Sequence, residues 1–191
     1  MLTRESLYSL ETYARVRKEF RARVMAHKAI RLVGLGPHAS IHFEDALTMQ
    51  YQVQEMLRLE RIFEPEGIQE ELDVYNPLVP DGSNWKATLM FEYPDAEQRK
   101  VELARLIGVE ASVYVQVADF ARVTPFANED LDRTTGSKTS AVHFLRFELT
   151  PGMVAAAKSG APIRVGIDHP YYKAEITVSD ATRKSLAADL K

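Results

Sequence analysis

Three groups of side chains in this sequence have the types and spacing to do chemistry. In "HASIHFED", His38, Ser40, His42 and Glu44 alternate with Ala39, Ile41 and Phe43, so a strand would put the first four on one face. Two imidazoles and a carboxylate are metal-ligand types; the competing reading is a solvated strand face. Asp168 and His169 adjoin just before Pro170. An aspartate can orient an imidazole for proton transfer near neutral pH, although sequence neighbours on a strand point apart. In "KTSAVHFLRFEL", Arg146 and Glu148 alternate with Leu145, Phe147 and Leu149, and Glu92 falls at the polar positions of "WKATLMFEY". Opposed charges on a rigid sheet face can orient a polar ligand. Arg146, Glu148 and Glu92 are therefore the candidate ligand-binding residues, with His169 and His42 the catalytic candidates. The competing reading is a flat cross-strand ladder contributing about a few tenths of a kcal/mol per pair.

Glu60 is a different problem. In "TMQYQVQEMLRLERIF" a helical step of about 100° per residue places Val53, Met56 and Phe63 near Met49, and Glu60 about 20° from it. A carboxylate centred on an apolar stripe must be paired, hydrogen-bonded or protonated. Glu60 is thus expected as a buried structural carboxylate, with Arg31 or Arg146 as its partner. His143 shares a face with Leu145 and Phe147 and reads as a satisfied core histidine.

Much chemistry is excluded. The chain has no cysteine, so it carries no disulfide, thiolate-held iron–sulfur cluster or thiol nucleophile. Phosphate-binding, dinucleotide, nucleophile-elbow and zinc-protease motifs are absent from the sequence, and no cofactor is encoded by a recognised motif.

The elements that must position these groups read clearly. A helix capped by Ser9 carries Leu10, Tyr13, Phe20, Val24 and His27 at helical spacing. It is followed by a hairpin turning at Gly36-Pro37, a helix capped by Asp45, and a third helix from Pro65 to about Tyr75. From Trp85 onward, period-two alternation dominates, interrupted by short helices after Pro94, at Pro151 and after Ser179. Residues 1–191 read as a single domain. Residues 1–78 are mainly helical with a short hairpin; 85–191 are mainly sheet, with a flap near 120–137 holding Asp130, Asp132 and Gly136. The half-polar strands predict an α+β fold: one antiparallel-dominated sheet of about five to seven strands, with the N-terminal helices packed on its apolar face.

The 191 residues carry 24 Lys and Arg against 27 Asp and Glu, a net charge of −3, which argues against a nucleic-acid partner. The first helix is basic, and the acidic stretch Glu64–Asp73 offers it a counterpart within the fold or across a homodimer. No apolar run approaches the roughly 20 residues that span a bilayer, so no membrane association is expected. The absence of cysteine fits the cytoplasm.

The segments "ALTMQYQVQEMLRLERIF", "ELDVYNPLVPDGSNWKATLMFEYP", "KTSAVHFLRFEL" and "GIDHPYY" resemble a bacterial family known as domain of unknown function 3501, and the resemblance runs over nearly the whole chain. Members of that family are often encoded beside rubrerythrin and an iron–sulfur protein similar to heterodisulfide reductase subunits. The resemblance implies a role near peroxide detoxification or electron transfer, and supplies no catalytic residues. The expected function is a cytoplasmic accessory or ligand-binding protein of an oxidative-stress redox system, with a redox partner protein or a small ligand. The alternative is a small enzyme with a carboxylate–histidine cleft and a divalent metal.

Overall fold

The structure is a computed structural model that describes residues 1–129, 133, 135 and 137–191. Helix α1 (Leu10–Arg31) starts where the Ser9 hydroxyl accepts the Thr12 amide at 3.2 Å, and it buries Tyr13, Phe20 and Val24. It runs directly into β1 (Leu32–Leu35), which turns at Gly36 into β2 (Ala39–Glu44). Gly36 sits at φ +74°, and a Cβ there would lie 2.9 Å from the Tyr172 hydroxyl. Both the left-handed backbone and the close approach therefore require glycine. That hydroxyl accepts the amides of His38 (3.1 Å) and Ala39 (3.0 Å) and donates to the Leu35 carbonyl (2.6 Å).

Asp45 caps α2 (Ala46–Glu60), accepting the Thr48 amide at 2.9 Å, and Pro65 opens α3 (Pro65–Tyr75). The remaining elements are β3 (Asn84–Phe91), α4 (Ala96–Arg105), β4 (Val113–Val117), β5 (Phe126–Ala127), β6 (Val142–Glu148), α5 (Pro151–Lys158), β7 (Ile163–His169), β8 (Tyr172–Thr177) and α6 (Asp180–Ala187). Of the flap expected over 120–137, Val123 bridges Val115 and β5 pairs with β6; Asp130, Asp132 and Gly136 lie outside the described residues.

Among the described residues all strand pairs are antiparallel, and the α+β class holds, but the strands divide into two sheets rather than one. The larger has the order β1-β2-β3-β6-β5 and the smaller β4-β7-β8. One core takes Ile41, Phe43, Trp85, Leu89 and Phe147 from the larger sheet and Val115, Val165 and Ile167 from the smaller, together with residues of α4, α5 and α6. Each sheet turns an apolar face to this shared core, as packed sheets do. The N-terminal helices do pack on one face of the larger sheet, as expected, but on the face turned away from this core, where Glu44 links Thr48 of α2 to Thr88 of β3. α1 packs on α2 through Tyr13, Phe20, Val24, Leu47 and Tyr51. α2 packs on α3 and the N-terminal segment through Leu2, Met49, Val53, Leu57 and Leu72. They form a helical layer with small cores of its own.

Glu60 is a second correction: it is exposed. Its angular position is sound, since Met49, Val53 and Leu57 are buried along that stripe. The helix ends there, however, with Arg61 in the left-handed conformation. The last turn outruns the core, leaving Leu59 62% and Phe63 65% exposed as well. Arg31 and Arg146 pair elsewhere.

Candidate functional site

A groove of about 530 Å³ lies between α3 with the turn after it and the outer face of the larger sheet. Val74, Tyr75, Pro77 and Leu78 form one wall; Lys86, Phe144, Leu145 and Arg146 form the other, and Asp73, Glu129 and Arg133 complete the lining. Strand parity builds the second wall. Ala87, Leu89, Leu145 and Phe147 point into the core, so Lys86 and Arg146 point out, and the antiparallel register sets those two directly opposite each other. A further pairing sets Phe126 of β5 against Arg146.

Arg146 is the best-held side chain of the groove. Its Nε and Nη2 donate to the two carboxylate oxygens of Glu129 at 2.8 and 2.6 Å, and Nη1 donates to Glu148. Its guanidinium carbon lies 4.3 Å from the centre of the Phe126 ring, a cation–π distance. Glu148 also accepts from Asn84 Nδ2 at 2.9 Å. The hydrogen bonds to Glu129 hold the Arg146 guanidinium far above its ordinary range, and the same contact holds Glu129 below its own. Fork-to-fork pairing of this kind is the strong form of an ion pair.

Lys86 is the opposite case. It is half-buried, and burial together with the neighbouring Arg146 charge lowers its pKa. Among the described residues no carboxylate lies within salt-bridge distance of its ammonium.

The groove gathers Arg146, with Glu148 beside it, and leaves out the other candidates. Glu92 is exposed, six residues from Lys86 along the line of β3 and so about 20 Å away; its carbonyl accepts from His38 Nδ1 at 3.1 Å. His42 stands half-buried on β2 opposite Thr88, where burial lowers its pKa. His169 is in the smaller sheet, where it is buried, its Nε2 lies 3.3 Å from the Ile107 carbonyl and its Nδ1 accepts the Tyr171 amide at 3.3 Å. Asp168 points away from it, to Lys173 at 2.8 Å and Arg122 at 3.4 Å. His143 is buried and satisfied by Asn128, Thr139 and the Ser140 carbonyl, and burial lowers its pKa. Among the described residues no three His, Cys, Asp or Glu side chains converge as a metal site.

A second charged cluster lines a cleft where α1, the start of α2 and α6 meet. Arg31 is 2% exposed. It donates to the Phe43 and Glu44 carbonyls (2.9 and 3.1 Å), to Ser185 Oγ (2.8 Å) and to Asp189 (2.6 Å). Asp45 lies 3.6 Å from Arg31 and 2.5 Å from His27 Nε2. Burial raises Asp189 to about 6 against the pull of Arg31.

Sequence reasoning missed four things here: Lys86, Glu129, the His27–Asp45 contact and the carboxylates that are held inside the molecule. The last are Glu44, accepting from Thr48 (2.7 Å) and Thr88 (2.8 Å), and Glu55. Glu55 accepts from Arg17 at 2.8 Å and from the Tyr13 hydroxyl at 2.6 Å, and the Arg17 contact brings it down to about 2. It is Glu55, with Asp45 and Asp189, that answers the basic α1; no ion pair joins α1 to Glu64–Asp73 among the described residues. One signal was available for Glu44: it directly precedes a helix-capping aspartate, at the point where a strand must hand over to a helix.

The fold and groove define an antiparallel α+β protein whose larger sheet carries a lined cleft on its outer face. The chain belongs to the family described as "Protein of unknown function (DUF3501)", which it matches over residues 1–190. It is similar to a protein of Burkholderia pseudomallei K96243, known from a crystal structure and described as a novel protein of unknown function. The two share 53% identity over 100% of this chain and 99% of that one, with a TM-score of 0.93. Comparison with curated proteins gives no match.

Proposed function

We propose that the protein is a ligand-binding accessory protein and that the groove between α3 and the larger sheet is its site. The supporting observation is the shape of the sheet's outer face around Arg146. A salt-bridge ladder would lie flat in solvent; here the Arg146 side chain is only 22% exposed and lines a concavity of about 530 Å³ with apolar walls. That volume is in the range of small-molecule sites. The setting, from the resemblance drawn above, is a bacterial redox system built around rubrerythrin and an iron–sulfur protein. Without thiolates this chain would serve such a system by binding rather than by holding a cluster. The neutral, polarity-sensitive dye Nile red tests the site: its fluorescence should rise with the native protein and fall back with Val74→Gln and with Phe144→Ser. A rise that neither substitution changes, or no rise, would set the reading aside.

The second reading, a small enzyme with a carboxylate–histidine cleft, is favoured by one observation: His27 and Asp45 are in contact in the cleft beside Arg31. An aspartate that holds one ring nitrogen leaves the other for proton transfer. Hydrolysis of a p-nitrophenyl ester that stops with His27→Gln would support it; hydrolysis indifferent to that change would not.

A further inference from the structure

We propose that the groove takes a small organic monoanion with an apolar body, its anionic group seated on Lys86 and its hydrocarbon against Val74, Tyr75, Leu78 and Phe144. This rests on the groove being a binding site, and it names the chemistry of what fills it. Two cations stand side by side in the wall, paired across β3 and β6. Arg146 has both edges of its guanidinium taken, by Glu129 and by Glu148. Those two carboxylates are thereby turned to Arg146, and Lys86 is left with no carboxylate in salt-bridge distance among the described residues. A half-buried ammonium next to a second cation is held at a cost, and an anion arriving from solvent relieves it.

The rest of the lining limits the ligand. The walls offer hydrocarbon and aromatic surface, so the ligand's body is apolar. The lining sets Lys86, Arg133 and Arg146 against Asp73 and Glu129, one positive charge in excess, which one anionic group balances and a polyanion exceeds. That selects a single carboxylate over a nucleotide or other polyanion. Arg146 is a positioning residue on this account: its part is to hold Glu129 and Glu148 away from Lys86.

Octanoate and octanol, the same chain with and without the charge, separate the possibilities by amide NMR titration of the isotope-labelled protein. Octanoate should shift the amides of Val74, Tyr75, Phe144 and Leu145 and bind about tenfold tighter than octanol, the scale of a charge-assisted contact. Lys86→Met should bring octanoate and octanol to equal affinity, whereas Lys86→Arg should keep the difference. Equal binding of acid and alcohol in the groove of the native protein would overturn the Lys86 seat while leaving the groove as a binding site. Shifts outside the groove, or none, for both compounds would overturn both. The acid–alcohol comparison on native protein decides the matter even if a Lys86 variant does not fold.

Discussion

Arg31 and Lys86 are both cations set against the larger sheet, and they are treated in opposite ways. Arg31 leaves the end of α1 and is wrapped by the end of β2, the cap of α2 and two residues of the α6 region; each of its three nitrogens donates to an acceptor. Lys86 stands in the groove with no carboxylate in salt-bridge distance among the described residues, Glu129 and Glu148 being bound to Arg146. A cation matched on every side holds elements together; one left unmatched in a concavity is free to recognise something else. The difference is not in burial alone, since both are withdrawn from water. It lies in whether the surrounding acceptors point at the charge.

The sharpest way to break this comparison is at Arg31. Arg31→Met should cost about 3–5 kcal/mol, because the buried Asp189 would lose the cation that it pairs with. Urea unfolding measures it, and a loss below about 1 kcal/mol would mean that the cluster is not structural.

Next in size is a pH effect. Asp189 titrates at about 6 in the folded chain and near the ordinary value of about 3.9 when unfolded. The folded state therefore binds this proton more tightly. Its contribution to stability is fully present below about pH 4 and is lost as pH rises through about 6, on the order of 2–3 kcal/mol. His42 and His143, with lowered values, act in the opposite direction, losing stability as pH falls below about 6.5. Glu55 does so lower still, between about 4.5 and 2. Subtracting the stability–pH curve of Asp189→Asn from that of the native protein isolates the Asp189 effect; two parallel curves would remove it.

Lys86→Met should change stability by no more than about 1 kcal/mol, since losing a buried, unpaired ammonium offsets losing its packing. A loss as large as that of Arg31→Met would return Lys86 to the structural class. The smallest effect is expected at Glu60. Glu60→Gln should fall within the scatter of surface substitutions, about 0.5 kcal/mol, with a small gain from easing the charge on Glu71, whose pKa is raised by burial and then by Glu60.

What was legible in the sequence was what is local. Alternation placed Ala87, Leu89, Phe91 and Tyr93 inward, and Ser9, Asp45 and Gly36 marked their helix starts and turn, because each depends on a few adjacent residues. Arg146 was legible by the same parity. Parity cannot say which sheet a strand joins, so it groups His169 with Arg146 although β7 lies in the smaller sheet. Nor can it say where along a strand a neighbour packs, so it does not separate Glu92 from Lys86, which has the same parity. What distinguishes them is α3 crossing one end of the strand, a contact between distant parts of the chain. Glu60 failed for a related reason: helical angle locates a face, but the length of the layer beneath it decides how far burial extends.

The wrapping of Arg31 also orders events in time. Its partners at Ser185 and Asp189 lie 154 and 158 residues further along the chain. During synthesis α1 emerges early with Asp45 soon after it, yet Arg31 meets its doubly bonded partner Asp189 only once the α6 region has left the ribosome. Until then, closing β2 over Arg31 would leave it with Asp45 as its one carboxylate among the described residues. The cluster is therefore completed only after the strands of both sheets have been made. Its last closing step is a contact of high sequence separation, the kind that slows folding.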